Sequence, residues 1–225
     1  MLAPDLPGCA GVPPLASRHT AFAYAKWALD LLTARRLERV AVGGLCSGTA
    51  IALALADLAP ERVAALLLHT PFLRPELIRP LIRAQLALLV SPAGALWGPI
   101  RKSTTLSMLH RRLFAEGAQV EAEQLAHDQA DLLEADARAG RELARDLLGV
   151  DRTSMVRGWR GPLGALLADH DAFVDTPRTV LALTEAAPQT VIERFPGGHG
   201  WTPAYREHQQ AALSRLAPLL RAAML

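Results

Sequence analysis

The sequence predicts an α/β fold in which a mostly parallel sheet is flanked by helices. Short runs of consecutive apolar residues, typical of strands buried on both faces, alternate with longer amphipathic segments that are typical of helices. The apolar runs lack the strict alternation of apolar and polar residues that a half-exposed strand shows. Apolar strands that are separated by helices favour a parallel sheet covered on both faces.

The expected elements follow one another regularly over most of the chain. Strands are expected at 39–43, 63–69, 163–168 and 190–195. Helices are expected at 20–35, 49–58, 177–187 and 204–224. The start of the third of these helices is marked by Thr176 as an N-cap and by Pro177 at the first helical position, where its fixed φ suits a helix.

Residues 75–157 interrupt this order, because they contain helical pattern and no convincing strand. We therefore expect a helical lid or cap insertion at 75–157, within a core that consists of residues 1–74 and 158–225. The charges on the inserted helices are explained by solvated faces. The apolar stretch 77–96 fits either the lining of an acyl pocket or ordinary packing of the lid.

Composition and charge exclude several classes of protein. Half of the residues are hydrophobic and the net charge is +2, without a basic block interleaved with aromatic residues, so nucleic-acid binding has no support. The apolar stretch 84–100 is broken by proline and glycine, so we expect no membrane span. Cys9 and Cys46 provide neither a disulfide framework nor a metal-ligand spacing, so we expect a cytoplasmic protein without a metal or cofactor.

The most informative segment is "GLCSG" at 44–48, between an expected strand and an expected helix. It fits the G-x-nucleophile-x-G frame, in which the nucleophile lies on a strained strand-to-helix turn. We expect Gly44 and Gly48 to be glycine because a Cβ there would collide with a neighbouring element. Cys46 is then in register as the nucleophile, and the N–H of Ser47 points at the developing oxyanion. The alternative for Cys46 is a buried free cysteine.

A cysteine nucleophile needs a base, and the base needs an orienting group. His199 follows the fourth expected strand in "PGGHG", whereas Asp169 and Asp171 follow the third. Nucleophile, acid and histidine therefore come in this order, each beyond the C-terminal end of its own strand, at the edge where open α/β sheets bind ligands. From the residues alone, either aspartate can be the acid, and His199 can also be a loop histidine bonded to backbone.

Four segments resemble motifs of the α/β-hydrolase superfamily in the order of that family. They are the loop after its fourth strand, its nucleophile elbow, its acid loop and its histidine loop, here "APDLPGCAG", "VGGLCSGTAIALA", "LLADHDAFV" and "FPGGHG". The resemblance covers most of the chain and implies Cys46 as nucleophile, Asp171 as acid and His199 as base. Asp171 is preferred to Asp169 because the family's acid usually falls three residues after a small residue at the strand end, here Ala168. The insertion falls where the family carries its lid.

Cysteine in place of the usual serine resembles a variant found in dienelactone-hydrolase-like enzymes and polyhydroxyalkanoate synthases. A thiol paired with histidine ionises readily, so triad chemistry survives the exchange. The resemblance implies an enzyme that hydrolyses a carboxylic ester or thioester of a small-molecule acyl substrate through a thioester acyl-enzyme. Acyl transfer by the same triad, and a non-catalytic member of the family, are the alternatives.

In the family, three further strands precede the "APDLPG" loop, and the loop after the third strand supplies a second oxyanion N–H. Here Met1 falls within that motif, so we expect the true start to lie upstream. Two alternatives also fit this start: a homodimer in which the partner covers the exposed sheet edge, and a chain without hydrolase activity.

Overall fold

A computed structural model of the chain describes residues 2–94, 135–199 and 206–223. The strands of its sheet are β1 (Val40–Leu45), β2 (Val63–His69), β3 (Leu163–Ala168) and β4 (Val191–Phe195). The described α-helices are α1 (Ala21–Ala34), α2 (Ser47–Leu58), α3 (Pro80–Val90), α4 (Ala137–Gly149), α5 (Thr153–Gly158), α6 (Thr176–Ala186) and α7 (Arg206–Ala222). Within these ranges, no helix is long and apolar enough to cross a membrane.

The described strands form one parallel sheet in the order β1-β2-β3-β4. This confirms the predicted α/β fold with a parallel sheet flanked by helices. β1 extends to Leu45, two residues beyond the range expected from the sequence, and α2 begins at Ser47. The strand and the helix are therefore joined by Cys46 alone.

Helices cover both faces of the sheet. Leu167 of β3 belongs to the large core cluster that contains most of α2, whereas its neighbour Leu166 belongs to a second cluster with Ala212 and Leu216 of α7. Successive residues of a strand point to opposite faces, so the two clusters lie on opposite sides of the sheet. All residues of β3 are buried, which explains the absence of apolar–polar alternation in its sequence.

The pairing of β1 with β2 contains one irregularity. Val40 pairs with Val63, but the next residue of β1 pairs with Ala65, so β2 contributes one extra residue at this point. From there the register is regular to the end of the strands, where Leu45 lies opposite His69.

Helix α6 begins differently from the prediction. Thr176 is not the N-cap but the first helical residue, and its hydroxyl donates to the carbonyl of Ala168 at 2.6 Å. The cap is Asp175, whose carboxylate accepts the N–H of Arg178 at 3.1 Å. Aspartate is among the strongest N-capping residues because its carboxylate satisfies an N–H that has no acceptor within the helix. Pro177 follows inside the first turn.

The expected lid insertion at 75–157 is described at its two ends, and its middle part, 95–134, lies outside the described residues. The described ends contain the helices α3, α4 and α5 and no strand. The first end is joined to the loop after β3 by an antiparallel bridge between Ile78 and Val174. The second end is joined to the loop after β2, since the N–H of Arg152 donates to the carbonyl of Leu73 at 2.7 Å.

The segment before α1 packs against α4. His19 is fully buried, and its Nδ1 lies 2.9 Å from Oε2 of Glu142. The carbonyl of Gly8 accepts the N–H of Asp136 at 2.8 Å. Gly8 has φ +86°, and a Cβ there would lie only 2.7 Å from Cβ of Ala139, so this close approach requires glycine.

Candidate active site

The backbone of Cys46 is strained and is held by hydrogen bonds on both sides. Its φ of +55° and ψ of −118° lie in a region that residues other than glycine rarely adopt, at a cost of about 1–3 kcal/mol. The N–H of Cys46 donates to the carbonyl of His69 at 3.0 Å. The carbonyl of Cys46 accepts the N–H of Thr49 at 3.1 Å and the hydroxyl of Thr49 at 2.5 Å. Strain that is fixed in this way is typical of functional sites.

The surroundings of Gly44 and of Gly48, the two glycines that flank Cys46 in the sequence, differ. A Cβ on Gly44 would lie 2.2 Å from the backbone of Gly48, so β1 and α2 can approach this closely only with glycine at 44. The expectation that Gly48 is needed for the same reason is wrong. A Cβ at Gly48, near the start of α2, would meet no heavy atom of the described residues within 4 Å.

The loops after β3 and β4 bring Asp171 and His199 together. Nδ1 of His199 lies 2.9 Å from Oδ2 and 3.0 Å from Oδ1 of Asp171. Asp171 is buried, and its Oδ1 also accepts the backbone N–H groups of Phe173 at 2.7 Å and Val174 at 2.9 Å. Cys46 is close enough to His199 to raise the pKa of the imidazole. The three residues that the motifs predicted therefore lie near one another, beyond the ends of β1, β3 and β4.

Asp169, the other candidate for the acid, has a different partner. Its Oδ1 pairs with the guanidinium of Arg194 on β4, at 2.7 Å from Nε, and both side chains are partly exposed. Its backbone N–H donates to the carbonyl of Phe195. The geometry thus distinguishes two aspartates that lie only two positions apart in the sequence.

The surroundings of His199 favour its charged form. Burial alone would lower the pKa of His199, but hydrogen bonds to Asp171 and Cys46, together with their negative charges, raise it from 6.5 to about 9. A carboxylate that is hydrogen-bonded to a buried histidine favours the charged imidazole.

A second histidine lies nearby. His69 ends β2 and is buried, with its ring in edge contact with Phe195 at a centroid distance of 6.0 Å. Burial and the charge of His199 lower the pKa of His69 from 6.5 to about 4, although Asp171 acts in the opposite direction. Near neutral pH, His69 is therefore uncharged and His199 is charged.

Ser47 is the first residue of α2. The first N–H groups of a helix have no acceptor within the helix, and the helix dipole makes this end attractive to an anion. The backbone N–H of Ser47 therefore lies at the end of the helix that favours an anion.

Several contacts of the site involve residues that the sequence did not single out. The hydroxyl of Thr49 accepts the N–H of Phe72 at 3.3 Å and donates to the carbonyl of Cys46. The ring of Phe173 stacks on His199, and Nε of Arg79 donates to the carbonyl of Asp171 at 2.7 Å. Thr49 and Phe173 lie inside the family-like segments, but nothing in their residue types indicates these contacts.

Metal ligation has no support in the part of the chain that the structure describes. There, no group of three or more His, Cys, Asp or Glu side chains could hold a metal ion.

Comparisons with known proteins agree with this architecture. A sequence model described as the alpha/beta hydrolase family matches residues 1–215. No curated protein matches the sequence. The fold is similar to that of a provisionally named aryl esterase from Burkholderia cenocepacia, with a TM-score of 0.75 and 16% identity over 98% of this chain and 79% of that one.

Two further solved structures are similar in the same way. An enol-lactonase from Burkholderia xenovorans has a TM-score of 0.71 and 17% identity, over 96% of this chain and 79% of that one. A thermophilic esterase from Thermogutta terrifontis has a TM-score of 0.68 and 19% identity, over 96% of this chain and 79% of that one. At these identities the likeness concerns the fold.

Proposed function

Because the chain belongs to the α/β-hydrolase family, we propose that it hydrolyses a carboxylic ester or a thioester. Cys46 is the nucleophile, His199 is the general base and acid, and Asp171 orients the imidazole. The observation that carries the proposal is the hydrogen bond from Nδ1 of His199 to Asp171, with Cys46 close enough to raise the pKa of the imidazole. The esterases and the lactonase with a similar fold support an ester bond as the target.

In the acylation step, the proton given up by the Cys46 thiol resides on His199, and the sulfur attacks the acyl carbon. The carbonyl oxygen becomes an oxyanion, which the N–H of Ser47 stabilises. When the tetrahedral intermediate collapses, the bond between carbon and leaving group breaks, and His199 gives its proton to the departing alcohol or thiol. The acyl group is then attached to Cys46 as a thioester.

Deacylation repeats these steps with water. His199 takes a proton from the water molecule while its oxygen attacks the thioester carbon. Collapse of the second tetrahedral intermediate breaks the carbon–sulfur bond, and His199 returns the proton to the sulfur of Cys46. The carboxylic acid leaves, and the enzyme is restored. Throughout, Asp171 accepts the Nδ1–H of His199 and keeps the other ring nitrogen directed at the reacting atoms.

Labelling with an activated ester tests the proposal. The protein is incubated with p-nitrophenyl acetate, and the acylated residue is located by mass spectrometry of peptides after a rapid acid quench. We expect an acetyl group on Cys46. We also expect Cys46→Ala to reduce turnover by at least about 10³-fold, as removal of a triad nucleophile does in other enzymes.

The matched control is Cys9→Ala, since Cys9 is exposed and is the chain's other cysteine. This variant should retain both the adduct and the turnover of the unaltered protein. An adduct on Cys9, or normal turnover in Cys46→Ala, would overturn the assignment of the nucleophile.

A further inference from the structure

An aromatic ring lies directly against the proposed base. The ring centroids of Phe173 and His199 are 4.1 Å apart, and their planes differ by 18°. This is a stacked arrangement, in which the face of the phenyl ring covers one face of the imidazole. The steps of the proposed reaction assign Phe173 no part, so its contact with the base needs a separate explanation.

The backbone of Phe173 is fixed by the loop that also fixes the acid. Its N–H donates to Oδ1 of Asp171 at 2.7 Å. Its carbonyl accepts the N–H of Arg79, at the start of the inserted segment, at 2.8 Å. The ring is therefore placed by two backbone hydrogen bonds that any side chain at this position would keep. A substitution of Phe173 can thus remove the ring while these bonds remain.

We propose that Phe173 is a positioning residue for His199. Its ring limits rotation of the imidazole and stabilises the imidazolium that forms when Cys46 gives up its proton. The face of an aromatic ring carries partial negative charge and attracts a cation that lies over it. The proposal rests on the proposed function, because the imidazolium matters only if His199 exchanges protons with Cys46.

Among the described residues, the titratable groups beside His199 come from three elements, and the ring of Phe72 lies farther away than that of Phe173, at 6.4 Å. Asp171 follows β3, Cys46 precedes α2, and His69 ends β2. Asp171 and Cys46 favour the imidazolium, whereas burial opposes it. His69 is uncharged near neutral pH because its pKa is lowered to about 4. Phe173 also favours the charged form of the imidazole, although its ring carries no net charge.

The pKa of His199 measures this effect directly. The variants are made in the Cys46→Ala background, so that the thiol does not titrate together with the imidazole. Proton NMR follows the ring signals of the seven histidines with pH, and the signal of His199 is identified by its loss in His199→Gln. We expect Phe173→Leu to lower the pKa of His199 by about 0.5–1 unit, which is a cation–π contribution expressed as a titration shift.

Phe173→Tyr is the matched control, because it keeps an aromatic ring at the same place. We expect the pKa of His199 in this variant to stay within about 0.2 units of the parent value. If Phe173→Leu does not fold, as judged by circular dichroism, Phe173→Met takes its place. An unchanged pKa in a folded leucine or methionine variant, or equal shifts in the leucine and tyrosine variants, would overturn the proposal.

The titration needs no substrate, so its result is separable from the proposed function. A protein that acquires no acyl group on Cys46 but shows the predicted shift would contradict the proposed hydrolysis and leave the role of Phe173 toward His199 intact. Acylation of Cys46 without any shift in the variants would contradict only the role of Phe173.

Discussion

At the scale of single residues, the loop after β3 gives two aspartates opposite environments. Asp171 is buried and accepts hydrogen bonds from two backbone N–H groups and from His199. Asp169 lies at the surface and pairs with Arg194. A surface ion pair of this kind contributes about 0–1 kcal/mol to stability, whereas a carboxylate that orients a catalytic histidine acts on every proton transfer.

The pair Asp171→Asn and Asp169→Asn compares these two environments with the same chemical change. We expect Asp171→Asn to reduce turnover of an activated ester by about 10³–10⁴-fold, because the amide cannot hold His199 in the required tautomer. Asp169→Asn should keep turnover within about twofold of the unaltered protein, since a surface pair contributes little. Steady-state kinetics at neutral pH measure both. A larger loss in Asp169→Asn than in Asp171→Asn would contradict the choice of acid.

At this scale the sequence predicted the residues that a motif names, and it could not predict their neighbours. Cys46, Asp171 and His199 each follow closely after a strand, and this local pattern can be recognised in the sequence. The stacking of Phe173 and the double hydrogen bond of Thr49 depend on how loops from different strands meet. The residue type of a phenylalanine or threonine does not show which way its side chain points, so the sequence could not indicate either contact.

At the scale of elements, the turn between β1 and α2 is tightly packed at Gly44 and less tightly packed at Gly48. The start of α2 lies against Gly44 so closely that its backbone would be 2.2 Å from a Cβ at that position. Gly48 belongs to the same turn of chain, but a Cβ there would meet no heavy atom within 4 Å in the part of the chain that the structure describes. The G-x-C-x-G pattern predicted the turn correctly. It gave no reason to treat Gly44 and Gly48 differently, although their packing differs.

Alanine at each of the two glycines tests this distinction. We expect Gly44→Ala to lower the free energy of unfolding by about 3 kcal/mol or more, because backbone atoms of a core helix cannot move aside. Gly48→Ala should change it by less than about 1 kcal/mol and can raise it slightly, since alanine favours a helix more than glycine does. Urea denaturation followed by circular dichroism measures both. Similar losses in the two variants would contradict the distinction.

At the scale of the whole molecule, two histidines make stability depend on pH in opposite directions. The pKa of His199 is raised from 6.5 to about 9, so its contribution is fully present below pH 6.5 and is lost as the pH rises through 9. The pKa of His69 is lowered from 6.5 to about 4, so the unfolded chain takes up its proton first as the pH falls below 6.5. Together they place maximal stability near pH 6.5.

The change in stability below pH 6.5 tests the contribution of His69. Between pH 6.5 and 4.5 we expect the free energy of unfolding to fall by roughly 2 kcal/mol because of His69. The lowered carboxylate pKa values of Glu142 and Asp151 act only below their ordinary values of 4.5 and 3.8. In His69→Gln the fall between pH 6.5 and 4.5 should largely disappear. Urea denaturation at several pH values measures it, and an unchanged fall in the variant would exclude His69 as its source.

The fold as a whole was largely predictable, because the periodicity of apolar residues directly reflects burial. All four predicted strands are present, and the helices around them begin and end within a few residues of the expected bounds where they are described. The pairing register was not predictable. Apolar runs such as "VAALLLH" are uniform along their length, so one alignment of two such strands resembles another.

The register matters because it sets which backbone groups meet at Cys46. The extra residue of β2 near Val63 places Leu45 opposite His69, and so brings the N–H of Cys46 to the carbonyl of His69. One residue along a strand is about 3.3 Å, whereas a hydrogen bond tolerates a displacement of only a few tenths of an ångström. The irregularity lies at the far end of the strand from the thiol. It nevertheless acts as a spacer, because its single added residue determines which carbonyl meets the N–H of Cys46.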